Sequence, residues 1–315
     1  MNKILVIGAC GQIGVELTAA LREKHGGERV VAMDIRDEHP LLFGTGPFEK
    51  FNILDKERVQ ALVEKEKINE IYLLAGLLSA TGEKDPKLAW ELNLGGLRQI
   101  LDLCVEKKAK LFWPSSIAVF GPATPRKSTP QHTIIEPSTM YGITKYAGEL
   151  LCEYYYKRFG LDVRSIRYPG LISWKSEPGG GTTDYAVEIF YEALKNKKYT
   201  SFLSEDSYLP MMYMDDAIRG TMELMSAPEE KIKTRMAYNF SAMSFSPKEI
   251  GEELKKHIPD FEISYNPDFR QKIADSWPKS IDYSVAREEW GWNHEYDLSK
   301  MTEVMLKNLK EKLAK

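Results

Sequence analysis

The sequence predicts an α/β fold: a doubly wound parallel sheet with a smaller substrate-binding part interleaved after it. Three observations carry that expectation. Short apolar runs alternate with helical patterns over the first 170 residues, as strands covered on both faces do. A glycine cluster stands between the first run and the first helix, and an acidic residue closes the second run. That order is what a nucleotide-binding sheet needs.

Composition bounds the rest. The chain has 315 residues, enough for one large domain or two coupled ones with a sizeable core. A net charge of -3 makes no electrostatic case for nucleic acid or an anionic membrane. The three cysteines, Cys10, Cys104 and Cys152, are far apart and read as reduced thiols. The five histidines have no metal-ligand spacing, so no metal is expected. The opening apolar run, Ile4-Leu5-Val6-Ile7, is too short for a signal peptide or a membrane span, so a cytoplasmic protein is expected.

Taken in order, Ile4 to Ile7 is the first strand. Gly8-Ala-Cys-Gly11-Gln12-Ile13-Gly14 follows, then a helical pattern through Leu17 and Leu21. Glycines at such a turn let backbone approach a pyrophosphate, and the helix N-terminus offers N–H groups and positive potential. The spacing is GxxGxxG rather than GxGxxG. The second strand, Val30 to Met33, ends in Asp34, with Ile35 beside it. An acidic residue there takes the adenosine ribose hydroxyls and repels a 2′-phosphate, which favours NAD over NADP. Arg36 is the dissenting feature; its plainer reading is a solvated loop charge.

Phe51 to Asp55 reads as the end of a third strand, with Asp55 capping a helix. Asn52 is placed to hydrogen-bond adenine and Ile53 to pack on its face. Glu70 to Gly76 is a fourth strand whose end, Leu74-Ala75-Gly76, lets backbone approach the cofactor. Asp85-Pro86 caps a long helix through about Lys107, with Asn93 inside it. Lys110 to Pro114 is a fifth strand delivering Ser115 and Ser116 at the sheet edge where ligands bind; in isolation a turn hydroxyl explains them equally well. After a proline-rich loop, Thr139 opens a helix carrying Tyr141 and Lys145. Residues four apart share a helix face, and a lysine cation brings a phenol toward use as a base. The spacing alone arises often by chance. Val163 to Tyr168 is the sixth strand.

Gly179-Gly180-Gly181-Thr182-Thr183-Asp184 opens the next helix. Such glycines suit a small anion such as a carboxylate, and Asp184 an ammonium; equally, Asp184 and the threonines simply cap the helix. Ser246-Pro247-Lys248-Glu249 is a capping box, and Trp277, Trp290 and Trp292 read as packing of the smaller part. The helical tail from Lys307 is charged.

The fingerprint, Asp34, Ser116, Tyr141 and Lys145 together resemble the extended short-chain dehydrogenase/reductase family in order and spacing. That resemblance implies a Rossmann-type doubly wound sheet with bound NAD. It selects Ser116 rather than Ser115, because the family's serine lies four positions before an aromatic-glycine pair, here Phe120-Gly121. It also implies an active-site water at Asn93, the nicotinamide ribose at Lys145, and cofactor contacts from Tyr168 and Leu171. Residues 167–194, 209–217, 238–247 and 267–292 resemble the L-threonine 3-dehydrogenases of this family. This implies NAD-dependent oxidation of L-threonine at C3, with Ser79, Ser116, Tyr141, Gly180, Thr183 and Asp184 around the substrate. It further implies a homodimer through the helices near 86–107 and 139–158. Residues 1–170 and 214–243 are expected to bind NAD, and 171–213 and 244–315 to form a small lid. The alternatives are a nucleotide-sugar epimerase or dehydratase and a non-catalytic NAD sensor. Ile117-Ala118 after Ser116, where dehydratases place acids, disfavours a dehydratase; a sensor has no need of the base.

Overall fold

The computed structural model describes residues 3–314. Its chain order begins β1 (Ile4–Ile7), α1 (Gln12–His25), β2 (Val30–Asp34), β3 (Phe48–Lys50), α2 (Lys56–Glu66), β4 (Glu70–Leu73), α3 (Ser79–Lys84), α4 (Pro86–Trp90) and α5 (Gly96–Lys107). β5 (Lys110–Phe112), β6 (Ser115–Ser116), α6 (Met140–Phe159), β7 (Val163–Arg164), β8 (Ile166–Tyr168) and β9 (Gly170–Ile172) follow. Next come α7 (Tyr185–Lys195), β10 (Lys198–Ser201), β11 (Leu209–Tyr213), α8 (Met214–Ser226), β12 (Tyr238–Asn239), β13 (Met243–Phe245), α9 (Pro247–His257) and β14 (Glu262–Tyr265). α10 (Arg270–Ser276), α11 (Ser284–Trp290) and α12 (Leu298–Leu313) end the chain.

Two compact units result. The first comprises Met1–Val119, Pro137–Arg167 and Ile218–Tyr238; the second comprises Phe120–Glu136, Tyr168–Ala217 and Asn239–Lys315. The sequence reading kept residues 120–136 with the first part. In the structure Thr129 exchanges backbone bonds with Ser280 and Asp282, and buried Asn239 donates to the Thr129 and Asp282 carbonyls. These bonds hold the segment within the second unit.

The first unit is the doubly wound fold. Its six strands lie in the order β3-β2-β1-β4-β5-β7, every pair parallel. One side chain in two from each strand reaches each face. On one face Leu5, Ile7, Val31, Met33, Ile71 and Leu111 meet Leu62, Leu97, Ile100, Leu101 and Cys152 in a continuous core. Parallel strands need crossover helices, and the expected caps begin them: Asp55 accepts from Arg58 N, Asp85 from Leu88 N and Thr139 from Gly142 N.

Three expectations need correction. The third strand ends at Lys50, so Phe51 to Asp55 is a loop leaving the sheet edge. The run Val163 to Tyr168 is interrupted at Ser165; β7 stays in the main sheet while β8 joins a second sheet of order β12-β8-β6. The helix from Pro86 is interrupted by a π turn over Glu91–Gly95. Residues within a π turn lose the 3.6-residue register, which apolar periodicity does not reveal.

In the second unit β9 pairs parallel with β11, and β13 antiparallel with β11; β10 and β14 form a two-stranded pair. The capping box on α9 forms as expected. Trp292 is fully buried, its ring 4.4 Å from that of Phe240 and its Nε1 donating to Ser241 O. Among the described residues no helix is long and apolar enough to cross a membrane, and no group of three metal-ligating acids, histidines or cysteines occurs. All three cysteines are free and buried.

Candidate active site

The first unit gathers the glycine turn and the Tyr-Lys helix at the carboxyl ends of its strands. Gly8 leaves β1 with φ 89°, a conformation that favours glycine. Its neighbours leave no room for a side chain: a Cβ there would stand 2.6 Å from Ala75 N, and one on Gly14 2.1 Å from Gly8 O. Leu74 and Ala75 donate backbone N–H groups to Ile7 O, which closes that approach. Gly11 differs, because a Cβ there meets Gly8 O only at 3.3 Å. That contact is tight but far looser than those at Gly8 and Gly14, and Arg36 Nη2 stands 3.8 Å away. Gly11 caps α1 without a side-chain bond, and no acidic residue occupies the first turn. The amides of Gln12, Ile13 and Gly14 therefore lack helical partners.

Asp34, at the end of β2, is 5% exposed. Its carboxylate accepts from Cys10 N at 2.9 Å and Arg36 N at 3.0 Å, and the Arg36 guanidinium lies on it at 3.2 and 3.3 Å. Burial alone raises its pKa, but the bonds from Arg36 and Cys10 outweigh burial and hold the carboxyl below its usual range. Arg36 is thus engaged by Asp34 rather than free in the loop. Ile35 beside it is exposed. Asn52 is exposed and uses its side-chain oxygen on Leu54 N, leaving its amide hydrogens outward. Ile53 has its side chain in the core, so only its backbone is offered where adenine packing was expected.

The π turn aims Asn93 inward. Its oxygen accepts from Leu77 N at 2.8 Å, and its Nδ2 donates to Leu77 O and to Thr144 Oγ1 at 3.2 and 3.1 Å. A Cβ on Gly76 would come within 3.0 Å of that oxygen. Asn93 thereby ties the segment after β4 to α6, and Thr144 passes the link on to Tyr141 O. Ser79 is the first residue of α3, partly buried.

On α6 the predicted pair is brought together with Ser116. The Tyr141 phenol lies near enough to Ser116 for its hydroxyl to lower the phenol's pKa, and Ser116 Oγ accepts from Ala118 N at 3.2 Å. Lys145 is buried; its Nζ donates to Pro114 O at 2.6 Å and lies 4.5 Å from the Trp113 ring centre and 5.6 Å from that of Tyr141. Gly148 permits this, since a Cβ there would stand 2.2 Å from the Trp113 ring. Burial pushes the Tyr141 phenol up to about 12, with the Ser116 bond pulling the other way. Burial pushes Lys145 down to about 7, partly opposed by the Glu149 carboxylate one helical turn away. Trp113, Thr144 and Glu149 escaped the sequence reading; only their place beside the motif residues makes them part of the site.

The second unit holds the other expected residues. Tyr168 is buried against Phe240 at 5.9 Å, and Leu171 lies in β9, partly exposed. Gly180 has φ 87° and open space around it. Asp184 does not cap α7 with its side chain. It turns back instead, Oδ2 accepting from Gly179 N at 2.6 Å and Gly181 N at 2.9 Å. Two of the three glycine amides that suggested anion binding, those of Gly179 and Gly181, are therefore taken up within the loop, and Thr183 packs against Gly170.

Residues 4–240 match the model of the NAD dependent epimerase/dehydratase family. The chain is 52% identical, over 99% of both chains, to an uncharacterized epimerase/dehydratase of Staphylococcus haemolyticus. Among solved structures it resembles the holo form of a GalE-like L-threonine dehydrogenase from Cupriavidus necator, at 51% identity and TM-score 0.95, covering 98% of this chain and 99% of that one. It also resembles the apo form of a monomeric L-threonine 3-dehydrogenase from a metagenome, at 49% identity and TM-score 0.93 over 98% and 99%. The glycine turn and the buried carboxylate ending β2, with Ser116, Tyr141 and Lys145 gathered beyond the sheet, agree with the family match: the chain belongs to the NAD-dependent epimerase/dehydratase family.

Proposed function

We propose that the protein oxidises L-threonine at C3 to 2-amino-3-oxobutanoate, with NAD as the acceptor. The observation that carries this reading is the meeting of Tyr141 with Ser116 and with Lys145, whose Nζ lies 5.6 Å from the Tyr141 ring centre. The L-threonine dehydrogenases among its relatives support the choice of substrate.

The cofactor fits the residues present. The first amides and the partial positive charge at the N-terminus of α1, left without a side-chain cap, suit a pyrophosphate, and Asp34 suits ribose hydroxyls. Bound NAD supplies the hydride acceptor. The chain's own residues handle the proton and the charge. Tyr141 accepts the β-hydroxyl proton as the carbonyl forms. Ser116 Oγ donates to the reacting oxygen and holds the phenol in line with it. A phenol displaced up to about 12 is a poor base alone, and a lysine displaced down to about 7 is a poor cation alone. With Lys145 Nζ 5.6 Å from the Tyr141 ring centre, phenolate and ammonium would each stabilise the other. Gly180, Thr183 and Asp184 are proposed to contact the amino-acid end. Because Asp184 already holds the Gly179 and Gly181 amides, its role is toward the ammonium rather than the loop toward the carboxylate.

A homodimer is proposed from α6, whose Ile143, Leu150, Tyr154 and Phe159 are exposed apolar side chains; a monomer mass by light scattering would reject it. The activity test is purified protein with L-threonine and NAD, followed by NADH absorbance. No increase would refute the substrate. A nucleotide-sugar raising the melting temperature when L-threonine and NAD do not would turn the reading to an epimerase. NAD binding without turnover of any alcohol would turn it to a sensor.

A further inference from the structure

The two serines of β6 point to opposite faces, as successive strand residues do. Ser116 meets Tyr141, whereas Ser115 is buried and donates its hydroxyl to Glu149 Oε1 at 2.5 Å. Glu149 is itself fully buried, on α6 one turn beyond Lys145. Arg167 of β8 grips the same carboxylate with two donors, Nε to Oε1 at 2.9 Å and Nη2 to Oε2 at 2.8 Å. β8 and β6 are neighbours in one sheet. One carboxylate thus links the strand that carries Ser116, the strand beside it and the helix that carries Tyr141 and Lys145.

Stability is a poor reason for such a group. A buried ion pair gains little over well-packed apolar side chains, because desolvation cancels most of the attraction. What it does offer is direction: a two-pronged guanidinium–carboxylate contact fixes orientation as well as distance, and Ser115 takes a remaining lone pair.

We propose that Ser115, Glu149 and Arg167 are positioning residues, a strut that sets where Ser116 Oγ stands relative to the Tyr141 phenol. The inference rests on the dehydrogenase reading above and deepens it. None of the three acts on substrate; they act through Ser116.

The test is a cycle of Ser115→Ala, Ser116→Ala and the double variant, using full-length protein. Ser115→Ala keeps the Glu149–Arg167 pair, so the fold is retained. Displacing a reacting group by about an ångström costs on the order of 10- to 100-fold in rate. The expected result is a kcat loss of that size in Ser115→Ala with NAD affinity within about twofold, since the removed hydroxyl bonds Glu149 and leaves the Glu149–Arg167 pair beside Lys145 and Tyr168 in place. Ser115→Thr, which keeps the hydroxyl, should restore most of the rate. In the Ser116→Ala background, adding Ser115→Ala should cost little, because the residue it positions is already gone. Losses that multiply in the double variant would overturn the strut. Hydrogen exchange provides an arm that needs no substrate. The Ala118 amide, which donates to Ser116 Oγ, should exchange faster in Ser115→Ala at an unchanged melting temperature. An unchanged exchange rate would also overturn it. A wild-type protein inert toward L-threonine would defeat the dehydrogenase reading alone, and the exchange comparison would still decide the strut.

Discussion

Gly14→Ala and Gly11→Ala should separate packing from cofactor binding within one loop. A Cβ at position 14 would lie 2.1 Å from Gly8 O and 2.9 Å from two Ala9 atoms, all backbone. Backbone cannot rotate away, so either β1 or α1 must shift. Overpacking of this kind costs about 1–3 kcal/mol, and each kcal/mol lowers the melting temperature of a domain this size by about 2–4 °C. Gly14→Ala should therefore melt roughly 2–12 °C lower without any ligand. At position 11 the nearest atom is Gly8 O at 3.3 Å, with Arg36 Nη2 at 3.8 Å, so the apo protein should melt within about 2 °C of wild type. The added methyl instead fills the space proposed for the pyrophosphate. Losing one charge-assisted hydrogen bond costs about 1.5–3 kcal/mol, which weakens NAD binding about 10- to 150-fold. Thermal melts of the apo proteins and calorimetric NAD titrations measure both effects. If Gly11→Ala lowers the melting temperature as much as Gly14→Ala, the difference in local space has no energetic meaning. If it binds NAD as wild type does, the pyrophosphate lies elsewhere.

Three further outcomes follow from the same geometry. Tyr141→Phe should lose about two to four orders of magnitude in kcat while still binding NAD; near-normal turnover would remove Tyr141 as the base. Arg36→Ala frees Asp34 of its guanidinium and removes a cation beside the ribose site. The ratio of kcat/KM for NAD over NADP should rise several-fold, and Asp34→Asn should lower it about tenfold; equal ratios in all three proteins would contradict this account of selectivity. Lys145 contributes to stability with a definite sign. Its pKa lies near 7 in the folded chain against 10.5 for the ordinary group, so the unfolded chain binds more protons between those values. Stability should rise with pH across that window, and Lys145→Met should flatten the rise in the denaturant midpoint; equal slopes would contradict burial of the ammonium.

Much of this was legible from local pattern, because the features concerned are local in cause. Asp55, Asp85, Thr139 and Ser246 cap the helices they precede, since a cap depends on three or four consecutive residues. The β1 turn and Asp34 were legible for the same reason. The π turn at Glu91–Gly95 was not, because its cause is tertiary: Asn93 is drawn inward by Leu77 and Thr144, residues from other elements. The interruption at Ser165 likewise depends on which sheet each half can join, and an apolar run cannot say so. Asp184 shows a different limit. Capping and ligand binding call for the same residue types, and the side chain here follows a third course, closing its own loop.

By itself, the sequence determined the parallel order of apolar strands and helices, the glycine turn with its acidic partner, and the phenol and ammonium one helical turn apart. Those follow from periodicity and from contacts between near neighbours. Only the tertiary structure decided how the pair would behave. Trp113 and Pro114 come from one strand end, Glu149 from the helix and Arg167 from another strand. Together they place Lys145 and Tyr141 in surroundings where desolvation outweighs local charge and moves both pKa values. Desolvation depends on everything packed around a group, and that is known only once distant segments have met.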